Sequence, residues 1–343
     1  GTGMWPAQGE GLCAGFLICS LLFRDSSWMS AIGGKPMSDE RKLTRRAALA
    51  GVAGLGLAAT ACSRESAAPS FAPRPPADGP FKHGVASGDP DQSSIMLWTA
   101  ITADSLDAPV RVQLAEDPDF QSVLIDAEAA PAAEAVRAMT PFKLLADGLQ
   151  PGRTYWYRFS FGGELSETGQ TRTLPEGAVD SFKIAAFSCS NYPAGFFNAY
   201  RAAAERGDID LVLHLGDYLY EYGRGGYAMD DDERLGRVVE PAHEIVSYED
   251  YVLRYAQYNA DPDLKALKAA APWLTIWDDH ETANNAHRTG AENHDPDEGE
   301  GPWPVRVNDA MRAYYGWLPV REPDNRLARY GALEIGDLAT LIF

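Results

Sequence analysis

The sequence predicts a mixed α/β protein, with a largely parallel-sheet body preceded by a small antiparallel β-sandwich. Three observations carry that prediction. Between residue 81 and about residue 175, short alternating strands follow one another across turn residues with no helical stretch between them. Beyond residue 175, apolar strands alternate with helical segments, the pattern of βαβ units. Three of these later strands end in runs of polar donors: Phe187-Ser188-Cys189-Ser190, Gly216-Asp217-Tyr218-Leu219-Tyr220 and Trp277-Asp278-Asp279-His280-Glu281. The ends of such strands are where α/β sheets carry their ligand sites.

The N-terminus reads as an address. Residues 1–36 start without Met and are expected to lie upstream of a start at Met37, which leaves the apolar run Leu12 to Phe23 without a function. Residues 37–62 combine Thr44-Arg45-Arg46, Leu49 and a Gly/Ala/Leu run, which together form a secretory signal that resembles the twin-arginine type. The run is shorter than the roughly 20 residues of a membrane span. Cys62 is a conceivable lipidation site, but Ala59 stands where a lipoprotein signal usually has Leu, so a lipid anchor is not expected. Residues 63–80 form a Pro/Ala linker. The expected location is periplasmic or secreted, with the twin-arginine export machinery as partner.

In the sandwich, residues 81–175, strands are expected at Ile95–Ala100, Val110–Leu114 and Thr154–Phe159, punctuated by Ser87-Gly88-Asp89-Pro90 and Gln150-Pro151-Gly152. Leu149 to Arg158 looks like a fibronectin/Ig-like signature. Trp98 and Trp156 are read as core or corner residues. In the body, residues 176–343, Phe182–Phe187, Asp210–Leu215 and Pro272–Trp277 are expected strands. Phe196–Glu205 and Val305–Trp317 are expected helices, and Ser247 with Asp250 forms a capping box for a third. Tyr330–Ile335 and Leu338–Phe343 read as a hairpin about Gly336-Asp337. The chain stops inside that apolar strand, which suggests C-terminal truncation.

Composition narrows the function. A net charge of −19 disfavours nucleic-acid recognition, which needs Lys/Arg clusters, and suits cations, although acidity also serves solubility. Of four cysteines only Cys189 lies in the folded part, so no internal disulfide is available there. Cys189 is compatible with an inert core thiol, a nucleophile or a metal thiolate, since transition metals accept sulfur. No local His supports the nucleophile.

Gly216 allows a close turn from which Asp217 projects. One helical turn would bring Tyr220 to the same side. A bridging carboxylate and a phenolate suit a ferric ion beside a second metal, although Tyr220 also reads as an ordinary buried tyrosine. Asp278-Asp279-His280-Glu281 would be costly to bury unpaired, and a metal would neutralise it; an exposed acidic loop is the alternative. Asn284 and Asn285 could add neutral oxygens. The acidic runs Met229–Glu233 and His294–Glu300 read as solvated loops, and the second lacks EF-hand spacing. His83, His214 and His243 read as structural, and His287 as able to line the pocket.

The ordered set Phe-Ser-Cys-Ser, Gly-Asp-Tyr-Leu-Tyr-Glu and Trp-Asp-Asp-His-Glu closely resembles the PhoD family of alkaline phosphatases within the calcineurin-like metallophosphoesterases. His83 to Pro90 looks like the start of that family's N-terminal domain. The resemblance covers residues 81–343. It implies an incomplete calcineurin-like sandwich and an exported enzyme that hydrolyses phosphate mono- or diesters with a metal-activated water and no phosphoenzyme. It implies Fe3+ and Ca2+ as cofactors. Cys189 and Tyr220 would ligate iron, Asp217 would bridge the metals and take part in catalysis, and Asp279 and the weaker candidate Asn284 would hold the second metal. His280 would stabilise the transferred phosphoryl group. Expected partners are phosphate-ester small molecules or exposed phosphodiesters, bound by a monomer. The family completes its site with a later Gly-Asp-x-His motif that does not occur here, the last histidine being His294. An inactive fragment or a non-catalytic surface-binding protein is therefore the alternative, and a cysteine hydrolase ranks last.

Overall fold

The structure, a computed structural model, describes the main chain of residues 17–21 and all of residues 79–343. The signal-like segment 37–62 and nearly all of the linker lie outside the described residues. Among the described residues no helix is long and apolar enough to cross a membrane.

One large sheet organises the molecule. Its strands are β1 (Leu17–Leu21), β2 (Val85–Gly88), β3 (Ile95–Thr102), β6 (Ala130–Pro131), β7 (Met139–Ala146), β11 (Phe182–Phe187), β12 (Leu211–His214) and β13 (Trp273–Thr275), in the order β1-β11-β12-β13-β2-β3-β7-β6. β11, β12 and β13 run parallel, and β1 lies antiparallel on the outer edge of β11. The second sheet contains β4 (Arg111–Ala115), β5 (Val123–Glu128), β8 (Thr154–Phe161) and β10 (Gly169–Arg172), with the short β9 (Glu164–Leu165) on β8. β8 buries every second side chain, Tyr155, Tyr157, Phe159 and Phe161, as its alternation predicts. These residues pack against Val85, Ile95, Leu97, Ile101 and Phe142 of the first sheet. That is the expected sandwich.

The sandwich is not self-contained, because β2 joins β13 in parallel at Trp273 and Gly88, so one of its sheets continues into the parallel body. Gly88 sits at the seam, where a Cβ would overlap Pro319 O and stand 2.7 Å from Trp273 O. Next to it Asp89, buried, accepts both guanidinium nitrogens of Arg329 at 2.8 and 2.6 Å and the Arg321 N–H at 2.7 Å. His83 Nδ1 donates to Ala256 O at 3.0 Å, and the ring meets Trp317 edge-on. The His83–Pro90 stretch therefore fastens the two parts together.

The helices are α1 (Asn198–Arg206), α2 (Asp232–Leu235), α3 (Tyr248–Asn259), α4 (Pro262–Ala270) and α5 (Trp303–Trp317). Residues of α1, α3, α4 and α5 share one core with the sheet residues Trp98, Ala185, Val212 and Trp273. The other face of the parallel strands packs Phe182, Ile184, Leu211 and Leu274 against Ile335 of the hairpin β14 (Ala332–Ile335) and β15 (Ala339–Ile342). The Ser247–Asp250 capping box of α3 is present in both directions. Helix α4 is not among the expected helices, though Asp261 caps it by accepting from Asp263 N and Leu264 N, with Pro262 in the first turn. β13 is shorter than expected, since the chain leaves the sheet after Thr275.

Candidate metal centre

Three loops leave the same ends of β11, β12 and β13 and meet. The first two begin with an unusual backbone. Cys189 and Asp217 both have positive φ, 57° and 52°, which is uncommon for residues with a Cβ. Gly216 has φ 102°, and a Cβ there would overlap Asp278 N and stand 2.5 Å from Asp278 Cβ and 2.9 Å from Trp277 C. Only glycine lets the β12 loop lie directly on the β13 loop. Conformations of this kind persist where the surroundings over-determine them.

Asp217 is the focus. Its Oδ2 accepts from Cys189 Sγ at 3.4 Å and from Tyr220 Oη at 3.2 Å, while its Oδ1 is buried with no hydrogen-bond partner. Asp217, Asp279 and His280 each present a ligand atom within 4.8 Å of one another. Burial raises the Asp217 pKa, His280 offsets part of the rise, and Asp279 adds to it. Cys189 is exposed, and partial desolvation raises its thiol pKa against a hydrogen bond from Ser188. Tyr220 reaches Asp217 by a different route from the expected one. Residues 217–222 are an irregular bend rather than a helical turn, and Arg254 of α3, fully buried, holds them by donating to the carbonyls of Tyr220 and Tyr222.

Asn284 contacts two acids, Glu221 and Glu292. Its N–H donates to Glu221 Oε1 at 2.7 Å and its side-chain amide to Glu292 at 3.3 Å. Asn285 donates its N–H to Asp279 Oδ2. His287 is exposed and pairs its main chain with Gly290. His214 is fully buried, with Nε2 3.0 Å from both Ser190 Oγ and Tyr200 Oη.

Sequence reasoning missed two carboxylates. Glu221, wholly buried, sits 2.7 Å from His280 Nδ1 and also accepts from Asn284 N and Asn293 Nδ2. For His280, burial pulls the pKa down, but Glu221, Asp217 and Asp279 together raise it. Glu281 accepts the N–H groups of Asp217 at 3.1 Å, Tyr218 at 2.6 Å and Asp278 at 2.8 Å, tying two loops together. Burial pushes its pKa up to about 7, against those three N–H groups. Each acid is the last residue of its motif, Glu221 after Tyr220 and Glu281 after His280. The available signal was that a buried carboxylate with no assigned role must find donors.

The donor set fits a cation. A thiol, two carboxylates, a phenol and an imidazole converge, and the partnerless Oδ1 of Asp217 is the kind of buried atom a metal ion satisfies. A model of the PhoD-like phosphatase family matches residues 184–343, and a model of the PhoD-like phosphatase N-terminal domain matches residues 65–175. The chain belongs to the PhoD-like phosphatase family. Alkaline phosphatase D of Bacillus subtilis (strain 168) is 36% identical over 326 residues, covering 88% of this chain and 52% of that protein. A solved structure described as that of PhoD superposes with a TM-score of 0.69 at 36% identity, covering 80% of this chain and 52% of that one. A purple acid phosphatase from yellow lupin seeds is less similar, with 14% identity, a TM-score of 0.46, and coverage of 73% and 42%. The chain thus spans about half the length of the PhoD relatives it matches. As a PhoD-like chain it has the mixed α/β body and the N-terminal domain of that family.

Proposed function

We propose that this chain forms part of an exported, metal-dependent phosphoesterase of the alkaline phosphatase D type, which hydrolyses phosphate mono- or diesters by attack of water. The observation that carries the reading is the gathering of Cys189, Tyr220, Asp279 and His280 about Asp217, whose second carboxylate oxygen has no partner, in a chain of this family. Cys189, Asp217 and Tyr220 would hold a ferric ion. Asp217 with Asp279, and Asn284 as a further oxygen donor, would hold calcium. When bound, these metals supply Lewis acidity to the phosphoryl oxygens and acidify the attacking water.

The chain's own groups orient and compensate charge. With Nδ1 engaged by Glu221, His280 has Nε2 left to face the ester, where the raised pKa keeps a proton available to offset charge developing on phosphorus oxygens. Glu281 and Gly216 hold the two donor loops in register. Small phosphate esters are the proposed partners and a monomer the proposed state; export by the twin-arginine route rests on Arg45-Arg46 and its apolar run.

Metal content and hydrolysis of p-nitrophenyl phosphate, measured with and without chelator in the natural protein and in Asp217→Ala, test the reading. Hydrolysis should fall to background in the variant and on chelation. Undiminished turnover in either case rules the reading out.

A further inference from the structure

The geometry points to a stacking subsite, formed by Tyr227 with Tyr222, that takes the alcohol portion of the ester and selects alcohols carrying a flat, uncharged aromatic ring. The inference rests on the hydrolase reading above and deepens it.

Four rings close a circuit beside the centre. Tyr220 lies 4.2 Å from His280, centroid to centroid, and Tyr222 lies 5.5 Å from it. Tyr227 stands 6.1 Å from Tyr220, nearly parallel at 26°, and 6.2 Å from Tyr222. Tyr220 is 6% exposed and Tyr227 is 60% exposed, so the circuit is sealed toward the metal donors and open at Tyr227. A phosphoryl group at His280 must direct its alcohol outward, and these rings are apolar surface directly beside it.

Tyr227 is held in place. Gly223 lies so close to the 243–244 backbone that a Cβ would stand 2.8 Å from Glu244 N, and Gly225 has φ 79°. The Gly226 N–H donates to Gly223 O at 3.1 Å, and a Cβ on Gly226 would come 2.8 Å from Tyr222 Cβ. This tight turn folds Tyr227 back onto Tyr222. Asn191, two residues after Cys189, donates to Tyr227 O at 3.4 Å. Arg254 fixes the carbonyl of Tyr222. A lone exposed tyrosine needs no explanation, but a ring delivered by a glycine turn to the edge of a donor cluster is placed to stack.

Charge narrows the ligand. Asp278 and Glu292 are exposed and Asp279 is partly so, which repels an anionic alcohol. Ring faces attract flat aromatic groups through offset stacking.

The test is calorimetric binding of three uncleavable phosphonates to the metal-loaded chain: benzylphosphonate, butylphosphonate and 3-aminopropylphosphonate. Benzylphosphonate should bind tighter than butylphosphonate by about 3- to 10-fold, the range of a stacked aromatic pair. Tyr227→Ala should erase that ratio by weakening benzylphosphonate more than butylphosphonate, whereas Tyr227→Phe should keep it. A ratio unaltered in Tyr227→Ala overturns the subsite. Tightest binding of 3-aminopropylphosphonate also overturns it, since the rings would then hold a cation. If no phosphonate binds while circular dichroism shows an intact fold, the hydrolase reading falls and the subsite with it.

Discussion

Glu221 Oε2 lies 2.7 Å from Nδ1 of His280, and the same carboxylate takes up the N–H of Asn284 and the amide of Asn293. Glu221 touches none of Asp217, Cys189 and Tyr220 through a hydrogen bond among the described residues, so it is a positioning residue for His280. Glu221→Gln keeps an acceptor for Asn284 but removes the charge that orients the imidazole. The expected result is a fall in kcat of about 10- to 100-fold, with KM and metal content unchanged. Steady-state kinetics with metal analysis checks this. Loss of metal along with rate would make Glu221 structural instead.

Asp217→Asn separates the cost of the carboxylate from its use. Asn tolerates the positive φ of this position, so the backbone is not strained. The natural carboxylate is desolvated, with one oxygen unpaired. The metal-free variant should therefore be as stable as the metal-free natural protein or more so, while the metal-loaded variant should be less stable than its counterpart. Thermal unfolding with and without added metal reads both signs. A variant destabilised equally in both states would contradict the idea that Asp217 is there for a cation.

Gly216→Ala should be much worse than Gly148→Ala. Both positions have positive φ, which costs about 1–3 kcal/mol for a residue with a Cβ. At Gly148 a Cβ meets nothing within 4 Å, whereas at Gly216 it collides with the Asp278 backbone. Chemical denaturation should show the Gly148 variant losing only the backbone cost. The Gly216 variant should lose more, along with its metal, because the β12 and β13 loops must part.

His83 provides a pH signature remote from the centre. Burial lowers its pKa, the bond to Ala256 O partly compensates, and Lys268, Lys265 and Lys82 lower it further, to about 4. The unfolded chain takes up the proton near the ordinary value of 6.5. The contribution is thus fully present above pH 6.5 and is lost as the pH falls toward 4, amounting to about 3 kcal/mol in all. Denaturation midpoints from pH 7 to 4.5 should fall less steeply in His83→Gln than in the natural protein. Parallel slopes would show that His83 does not remain neutral.

The sequence alone determined the order of the parts: sandwich, then strand–helix body, with Cys189, Asp217 and His280 each just past an apolar strand. Those features are local, since periodicity and caps report which side of a short segment is buried and where it ends. Only the tertiary structure decided how Glu221 and Glu281 serve the centre, because their partners lie about 60 residues away along the chain and leave no periodic trace. It also decided that Tyr220 reaches Asp217 without a helical turn, since Arg254 from a distant helix holds the backbone there. The seam between sandwich and body was hidden for the same reason. It includes the strand pair at Gly88 and Trp273 and the buried ion pair at Asp89 and Arg329, and contacts between residues so far apart in the chain exist only once the whole sheet has formed.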